Sequence, residues 1–401
     1  MRRPRLRPLD IRPHRQDGHH YFLLRDSLQV SDRMLLVPAP LGPALALCDG
    51  THEVAAIRRM LTVRFGPRFE NGVLDELLTA LDGALFLEND RYREAKARAL
   101  AEFRAAPFRP MSCAGNSYPA DPAALRHLLD DYLAQTNDLT PNAEARGLLS
   151  PHIDYARGGR VYAQAWRRAA AAARAADLVV LFGTDHYSDV PGSLSLTRQN
   201  YATPFGVLPT AQRIVQSVAE ALGPDVFDGE LRHRGEHSLE LVAVWLHHMR
   251  GGQPVEVVPI LTGSFSEYIE RGASPLSDPA LGGLIATLQR ETAGRRLLVV
   301  SSGDLAHVGP AFDSAPVDAR GMARLQADDE LILGRLCAGD AEGFYNSLAA
   351  TQNANNVCGL SPTYLALQLL GATEGERVGY DLCAADEDNT SIVTVAGVVF
   401  E

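Results

Sequence analysis

The spacing of apolar positions changes character along the chain. Up to about residue 90 the apolar positions come in short bursts. Phe22–Leu28 and Arg33–Val37 read as the two arms of a hairpin, Pro43–Cys48 as a short apolar helix and Asp49–Gly50 as a turn. Thr51 is the expected cap of a helix reaching about Phe65, with Glu53 in its first turn. Asn71–Leu81 has the pattern of a third helix and Ala84–Leu87 that of a strand. This order predicts a small winged-helix-like domain over 18–95. Residues 1–17 are basic and proline-punctuated and predict a mobile arm. The stretch 91–107 is charged and alanine-rich, and Pro107 and Pro110 follow it, so 96–110 reads as a helical linker.

From 111 to 401 the rhythm becomes strand–helix–strand, the pattern of an α/β layered fold. Apolar runs predict strands at Gly147–Ser150, Leu178–Phe182, Val255–Leu261, Leu297–Ser301 and Ser391–Val399. Helical spacing is found at Pro122–Ala134, Gly159–Ala173, Ala211–Leu222, Ser238–Met249, Pro279–Thr292, Arg320–Cys337, Ala341–Ala350 and Pro362–Leu370. Repeats of fixed period and long low-complexity segments are absent.

Composition narrows the function classes. The 401 residues are 46% hydrophobic and 22% charged, as in a globular protein able to bury a core without disulfide staples. The formal net charge of -11 argues against broad nucleic-acid or anionic-membrane binding, both of which need a basic face. No uninterrupted apolar run is long enough to span a bilayer. Five cysteines (Cys48, Cys113, Cys337, Cys358 and Cys383) are scattered and form no CxxC, which excludes a disulfide framework or a zinc ribbon. The start, Met1 to Arg15, holds six arginines but no apolar stretch behind them, so it does not read as a signal peptide. A cytoplasmic location is therefore expected.

Several predicted strands end in the same residue types. Gly147–Ser150 runs into His152 and Asp154, Leu178–Phe182 into Asp185 and His186, and Leu297–Ser301 into Asp304 and His307. In open α/β sheets the loops after the carboxyl ends of strands form the binding crevice, so these side chains are expected to converge. Imidazole and carboxylate suit zinc, iron or copper. A single loop histidine is more often a satisfied structural residue; three strand-end histidines with nearby aspartates favour a shared site. Glu236-His237-Ser238 opens a helix, with Ser238 as the expected cap, and could project His237 and Glu240 into the crevice. Cys358 precedes a helix whose expected cap is Ser361 and first residue Pro362, a position that favours a thiolate. On spacing alone Cys358 is better read as a small buried hydrophobe. The other four cysteines are read as structural.

Taken together, these segments resemble the Memo family, in particular the B-like proteins of AmmeMemoRadiSam systems. The resemblance runs from Cys113 to the C-terminus. It is carried in order by Ala114-Gly115-Asn116-Ser117-Tyr118-Pro119, Ser150-Pro151-His152, Gly183-Thr184-Asp185-His186 and Tyr201-Ala202-Thr203-Pro204-Phe205-Gly206. Glu236-His237-Ser238-Leu239-Glu240, Ser301-Ser302-Gly303-Asp304-Leu305-Ala306-His307 and Val357-Cys358-Gly359 complete it. It implies a layered α/β/α domain similar to extradiol-type, non-haem iron dioxygenases. It implies His152, His186 and Cys358 as metal ligands, with Asp304, His307 and His237 beside them as acid/base or supporting groups. The chain departs from the family pattern at Ile153–Gly159 and in having Asp185 before the second histidine and Tyr187 after it, so Asp154 or Asp185 could supplement the metal site. Residues 18–95 resemble, more loosely, the PqqD-like peptide-binding winged helix through Val37-Pro38, Leu41-Gly42 and Asp49-Gly50-Thr51. Glu70, Asp75 and Glu76 near the third helix would repel phosphate, which argues against DNA reading.

The expected function is a redox or oxygen-linked metalloenzyme using iron or copper, with zinc as a further option, acting with a radical-SAM partner. The competing expectation is an accessory protein that presents a peptide or partner through the N-terminal domain and keeps an inherited metal pocket. A hydrolase using zinc-bound water, with Asp304 or Glu240 as base, ranks third because a cysteine ligand is less typical there.

Overall fold

Asp17 and Gly18 both sit in the left-handed region (φ 50° and 78°), and together they make the two-residue turn of a β-hairpin. In the computed structural model, which describes residues 3–66, 72–188 and 190–401, this turn joins β1 (Asp10–Gln16) to β2 (His19–Arg25). β2 pairs in turn with β3 (Leu35–Pro38), giving an antiparallel sheet in the order β1-β2-β3. The expected basic arm is thus largely ordered. Its Arg7 is buried, ion-paired with Asp26 at 2.7 Å, bonded to the Leu85 carbonyl and stacked over Tyr92. A buried guanidinium with this many partners holds the segment where composition suggested mobility. Helices α1 (Gly42–Ala46), α2 (Val54–Phe65) and α3 (Val73–Gly83) close a small core around Leu24, Val37, Ile57, Leu61, Leu74 and Leu81.

Local capping in this first unit differs from expectation. Glu53, not Thr51, occupies the cap of α2; Thr51 instead donates to the Asp49 carboxylate through both its N–H and its hydroxyl. Ala84–Leu87 is no strand, because Leu85 turns left-handed (φ 61°) after α3 and only Leu87 forms a bridge, to Leu6. The expected start of the third helix at Asn71, and Glu70, lie outside the described residues. α4 (Asp90–Ala105) is a regular helix with Tyr92, Ala95, Ala99 and Phe103 buried, so the segment expected as a helical linker is helical and packed. The chain divides into two units at Ala105/Ala106.

The second unit is built on an eight-stranded mixed sheet. Its central strands β4 (Gly147–Ser150), β5 (Leu178–Thr184), β9 (Glu256–Thr262) and β10 (Leu297–Ser302) are parallel, in the order β4-β10-β5-β9. β6 (Leu194–Leu196) runs antiparallel on the β9 side. On the other side β13 (Ile392–Phe400) is antiparallel to β4 and carries β11 (His307–Val308) and β12 (Gly375–Ala384). β7 (Tyr201–Thr203) and β8 (Gly206–Leu208) form a separate ribbon.

Alternate residues of the central strands feed two different cores. In β5, Val179 and Leu181 enter one core, while Leu178, Val180 and Phe182 enter the other. Burial on both faces is why these strands read as unbroken apolar runs. α5 (Pro122–Ala134), α6 (Tyr155–Arg168), α7 (Ala170–Ala175) and α9 (Ser238–Met249) supply the first core. α8 (Gln212–Leu222), α11 (Pro279–Thr292), α12 (Ala319–Cys337), α13 (Ala341–Ala349) and α14 (Leu360–Leu370) supply the second. The result is the expected α/β/α layering. The edge and ribbon strands β6, β7, β8, β11 and β12 and the short helix α10 (Ser266–Arg271) were not anticipated. Among the described residues no helix is long and apolar enough to cross a membrane.

Candidate metal centre

Strand order decides which loops meet. β10 lies between β4 and β5, so the carboxyl ends of three neighbouring parallel strands deliver His152, Asp304 and His186 to one edge. Hydroxyl groups then tie in the two elements that come from elsewhere. Ser238 at the start of α9 donates to the Thr184 carbonyl (2.8 Å), and Ser302 donates to the Ser238 carbonyl (2.6 Å). Thr184 donates to the Cys358 carbonyl (2.9 Å). These bonds anchor His237 and Cys358 against the ends of β5 and β10. Ser238 spends its hydroxyl here, and His237 occupies the helix cap position that Ser238 was expected to fill.

The Cys358 segment comes in by close backbone packing. A Cβ on Gly303 would lie 2.5 Å from the Gly359 Cα, and a Cβ on Gly359 would lie 2.7 Å from the Asp304 carbonyl oxygen. Gly359 N–H donates to that carbonyl at 2.9 Å. Only two facing glycines allow this approach. Gly359 is also the cap of α14, which begins at Leu360, so the helix starts closer to Cys358 than the expected cap at Ser361.

The three imidazoles form a tight cluster. Ring centroids are 5.0 Å apart for His152 and His186, 5.2 Å for His152 and His237, and 4.7 Å for His186 and His237. One donor atom from each of these histidines lies within 4.8 Å of the other two; a second group of the same tightness joins His152 to Asp304 and Cys358. His152 is common to both groups and is fully buried. Its Nε2 is 3.1 Å from the Cys358 sulfur and 3.7 Å from Asp304 Oδ2. Asp304 Oδ1 accepts the His152 N–H (2.8 Å), fixing the loop as well as facing the ring. His186 and His237 keep 29% and 35% of their side chains exposed, so the cluster opens to solvent on their side.

Glu236 is the supporting residue that sequence reasoning missed. Its Oε1 accepts from Nδ1 of both His186 (3.0 Å) and His237 (3.1 Å), and its Oε2 accepts the His186 N–H (2.9 Å). A buried carboxylate holding the far nitrogen of two histidines is the arrangement that orients imidazole toward a metal. The available signal is an acid directly before a histidine at a predicted helix start, where the sequence reading gave roles to His237 and Glu240 but none to Glu236.

The protonation pattern follows from these contacts. Burial works against the charge on Glu236, but His186 and His237 outweigh it and hold the carboxyl well below its usual range. Burial likewise opposes charge on His186, yet Glu236 and Cys358 raise it well above an ordinary histidine. His152 is pushed far down by burial and by the neighbouring imidazoles, so its ring is neutral, as a metal ligand must be. Burial raises Asp304 to about 6 and lowers His307 to about 4. Burial also raises the Cys358 thiol, an effect that a bound cation would reverse. His307 lies one step out from the cluster, its Nδ1 3.2 Å from the Leu305 carbonyl and its ring against Phe312.

Three expected contributors sit elsewhere. Glu240 points away from the crevice into a buried network with Arg109, Ser112, Cys113 and Tyr118. Asp154 caps α6 and pairs with Arg157. Asp185 is committed to Arg232 at 2.6 Å. In each case a nearby arginine or helix start captures the carboxylate before it can reach the cluster.

The chain has relatives among known proteins. The Memo-like protein family model matches residues 109–399. A MEMO1 family protein of Aquifex aeolicus is 24% identical over 407 residues, covering 99% of this chain and 100% of the relative. A MEMO1 family protein of Thermus thermophilus is 28% identical over 310 residues (77% of this chain, 87% of the relative). One from Archaeoglobus fulgidus is 25% identical over 291 residues, which is 97% of that protein but 72% of this chain.

Proposed function

The chain belongs to the Memo-like protein family, and from that premise we propose that its imidazole–thiolate pocket holds a redox-capable metal and serves a metal-dependent oxidoreductase. The observation that carries this reading is the pair of donor groups sharing His152. The residues fit a metal: Glu236 occupies Nδ1 of His186 and His237 and so directs their other nitrogens inward, and the buried Nδ1 of His152 has no partner among the described residues. His152, His186 and Cys358 would be the principal ligands, with His237 as a further imidazole. A soft sulfur beside imidazoles suits copper or iron, and also zinc. Such a metal supplies electron transfer or polarisation of a bound oxygen atom.

The remaining roles belong to the chain itself. Asp304 faces the His152 ring and, with a carboxyl raised to about 6, can take or return a proton near neutrality. His307, kept neutral by burial, is a base at the outer edge of the cluster. The test is metal content of protein purified without chelator. The wild type should carry close to one equivalent, and His152→Ala and Cys358→Ser should each lose most of it. Undiminished metal in both variants would sink the assignment.

A second reading is favoured by one observation. The Archaeoglobus relative is matched over 97% of its length by 72% of this chain, and the family model begins at residue 109, which leaves the first unit, with its own core, as an addition to the part that the model matches. As an addition it could capture a peptide or a radical-SAM partner and present it, with the pocket retained for binding. Loss of a co-purifying partner on deletion of 1–105, with metal content unchanged and no turnover, would support that role over catalysis.

A further inference from the structure

Beside His186 and Cys358 lies a cleft of about 490 Å³ whose side chains say what it would accept. Its apolar wall is made by Phe265, Ile269 and Phe312, and its hydrogen-bonding wall by Ser264, Gln352 and Asn356. Among the described residues no arginine or lysine lines it. Its carboxylates are Glu270, exposed at the rim, and Asp185, neutralised by Arg232. Behind His186 stands the buried carboxylate of Glu236, 3.0 Å from its Nδ1. The start of α14 also faces this region, but the Cys358 sulfur already stands at that helix end.

The loop that carries Asn356 is unusually constrained. Gln352, Asn353 and Asn356 are all left-handed (φ 54°, 50° and 49°). The Asn353 amide bonds both the N–H (3.0 Å) and the carbonyl (3.3 Å) of Val357, and Asn355 is tied to Asp328 (3.0 Å). The side chains of Asn353 and Asn355 thus hold the loop, whereas Asn356 joins the brace through its backbone N–H, which donates to the Asn353 carbonyl (2.8 Å), and lines the cleft. An amide on a braced loop, lining the same cleft as aromatic rings, is a pre-organised recognition group that can both donate and accept.

We propose that this cleft is the subsite for an uncharged or cationic ligand with a flat apolar body and a hydrogen-bonding edge, and that it discriminates against anions. Phe312, partly exposed, takes the body, Asn356 reads the edge, and Glu270 repels a negative group. This names the ligand class of the site proposed above and rests on that reading for its purpose, but the selectivity itself does not require a metal.

The test uses three probes of one shape and different charge: benzamide, benzamidine and benzoate. Binding to the full chain is measured by ligand-observed NMR, on protein as purified and after treatment with chelator. Benzamide and benzamidine should bind in the millimolar range, with benzoate at least about tenfold weaker, which corresponds to about 1.4 kcal/mol. Asn356→Gly, which keeps the left-handed backbone without strain, should weaken benzamide several-fold, and Phe312→Ala should weaken all three. Glu270→Lys should reverse the order of benzamidine and benzoate. Benzoate binding as well as benzamide in chelated protein, binding indifferent to Asn356→Gly and Phe312→Ala, or no binding by any probe would each overturn the proposal. Loss of the metal assignment would instead show in metal content, with the order of the probes in chelated protein untouched.

Discussion

Replacing Glu240 by glutamine should destabilise the second unit more than any surface substitution, although no atom of the cluster is touched. The Glu240 carboxylate is fully buried. It accepts from the Arg109 guanidinium, the Ser112 N–H (2.8 Å) and hydroxyl (2.9 Å), the Cys113 N–H (2.9 Å) and the Tyr118 hydroxyl (2.5 Å). Arg109 is itself fully buried and also donates to the carbonyls of His233 and Glu236, both at 2.7 Å. Burial alone would raise the Glu240 pKa, yet the arginine and these donors hold it below the ordinary value, so the charge is real in the folded state. Glutamine leaves Arg109 buried without a counter-charge and turns an NH₂ group toward a ring of donors. Breaking a buried pair in this way costs about 3–5 kcal/mol.

The assay isolates the effect. The chain has two tryptophans, Trp166 and Trp245, both buried and both in the second unit, so fluorescence in urea follows that unit alone. With an m-value of about 3 kcal/mol/M, a loss of about 4 kcal/mol lowers the urea midpoint by about 1.3 M. A double-mutant cycle with Arg109→Gln should show a coupling of at least about 2 kcal/mol. Additive single effects, or a midpoint shift below about 0.3 M, would refute the account of Glu240 as the counter-charge of Arg109. Because Arg109 also holds the Glu236 carbonyl, Glu240→Gln should loosen the segment that supports His186 and His237 as well.

Three further outcomes are expected. Glu236→Gln should weaken metal binding by about 10–100-fold in competition with a chromophoric chelator, the usual loss when a carboxylate behind metal-binding histidines is neutralised; an unchanged affinity would leave Glu236 with no part in orienting the rings. Gly303→Ala should drive the Cys358 segment away from Asp304, costing about 1–3 kcal/mol and speeding maleimide labelling of Cys358, and unaltered labelling and stability would contradict the close packing of Gly303 on Gly359. Burial raises Asp329 from 3.8 to about 6, so its folded form prefers the proton: stability is greatest below the unfolded pKa, falls as pH rises from about 4 to about 6, and stays reduced above that. Asp329→Asn, which still accepts from Tyr380, should therefore raise the midpoint at pH 8 and lose that advantage near pH 4; an equal gain at both pH values would exclude titration as its source.

What was legible in the sequence was whatever depends on local pattern. β4, α5, α9 and α11 appear with the bounds that apolar spacing predicts, because each is buried on a continuous face and starts or ends at a strong local signal. The edge strands β6, β11 and β12 were not legible: β6 and β11 are only three and two residues long, and β12, though ten residues long, is largely half-exposed and carries no unbroken apolar run. The basic first residues misled for a related reason: Arg7 is interior only because Asp26 and Tyr92 are brought to it by pairings far apart in sequence. Glu240 and Asp185 were misplaced because spacing cannot reveal that Arg109 and Arg232 fold back to claim them.

The candidate metal centre shows the same division between pattern and topology. That His152, His186 and Asp304 end apolar runs is visible in one dimension; that Asp304 lies between the other two is not. Chain order runs β4, β5, β10, whereas the sheet runs β4, β10, β5, so the last strand to be made inserts its loop between the first two. This insertion gives the Asp304 carboxylate its contacts with the backbone N–H groups of His152 and Ile153 and with the His152 ring, and it brings Gly303 against Gly359 so that Cys358 arrives beside them. A slip of β10 by one residue would turn Asp304 to the other face and remove these contacts together. The cluster is therefore assembled only when the β4-β10-β5 register is complete, and Cys358, 54 residues beyond Asp304, depends on that register as much as the histidines do.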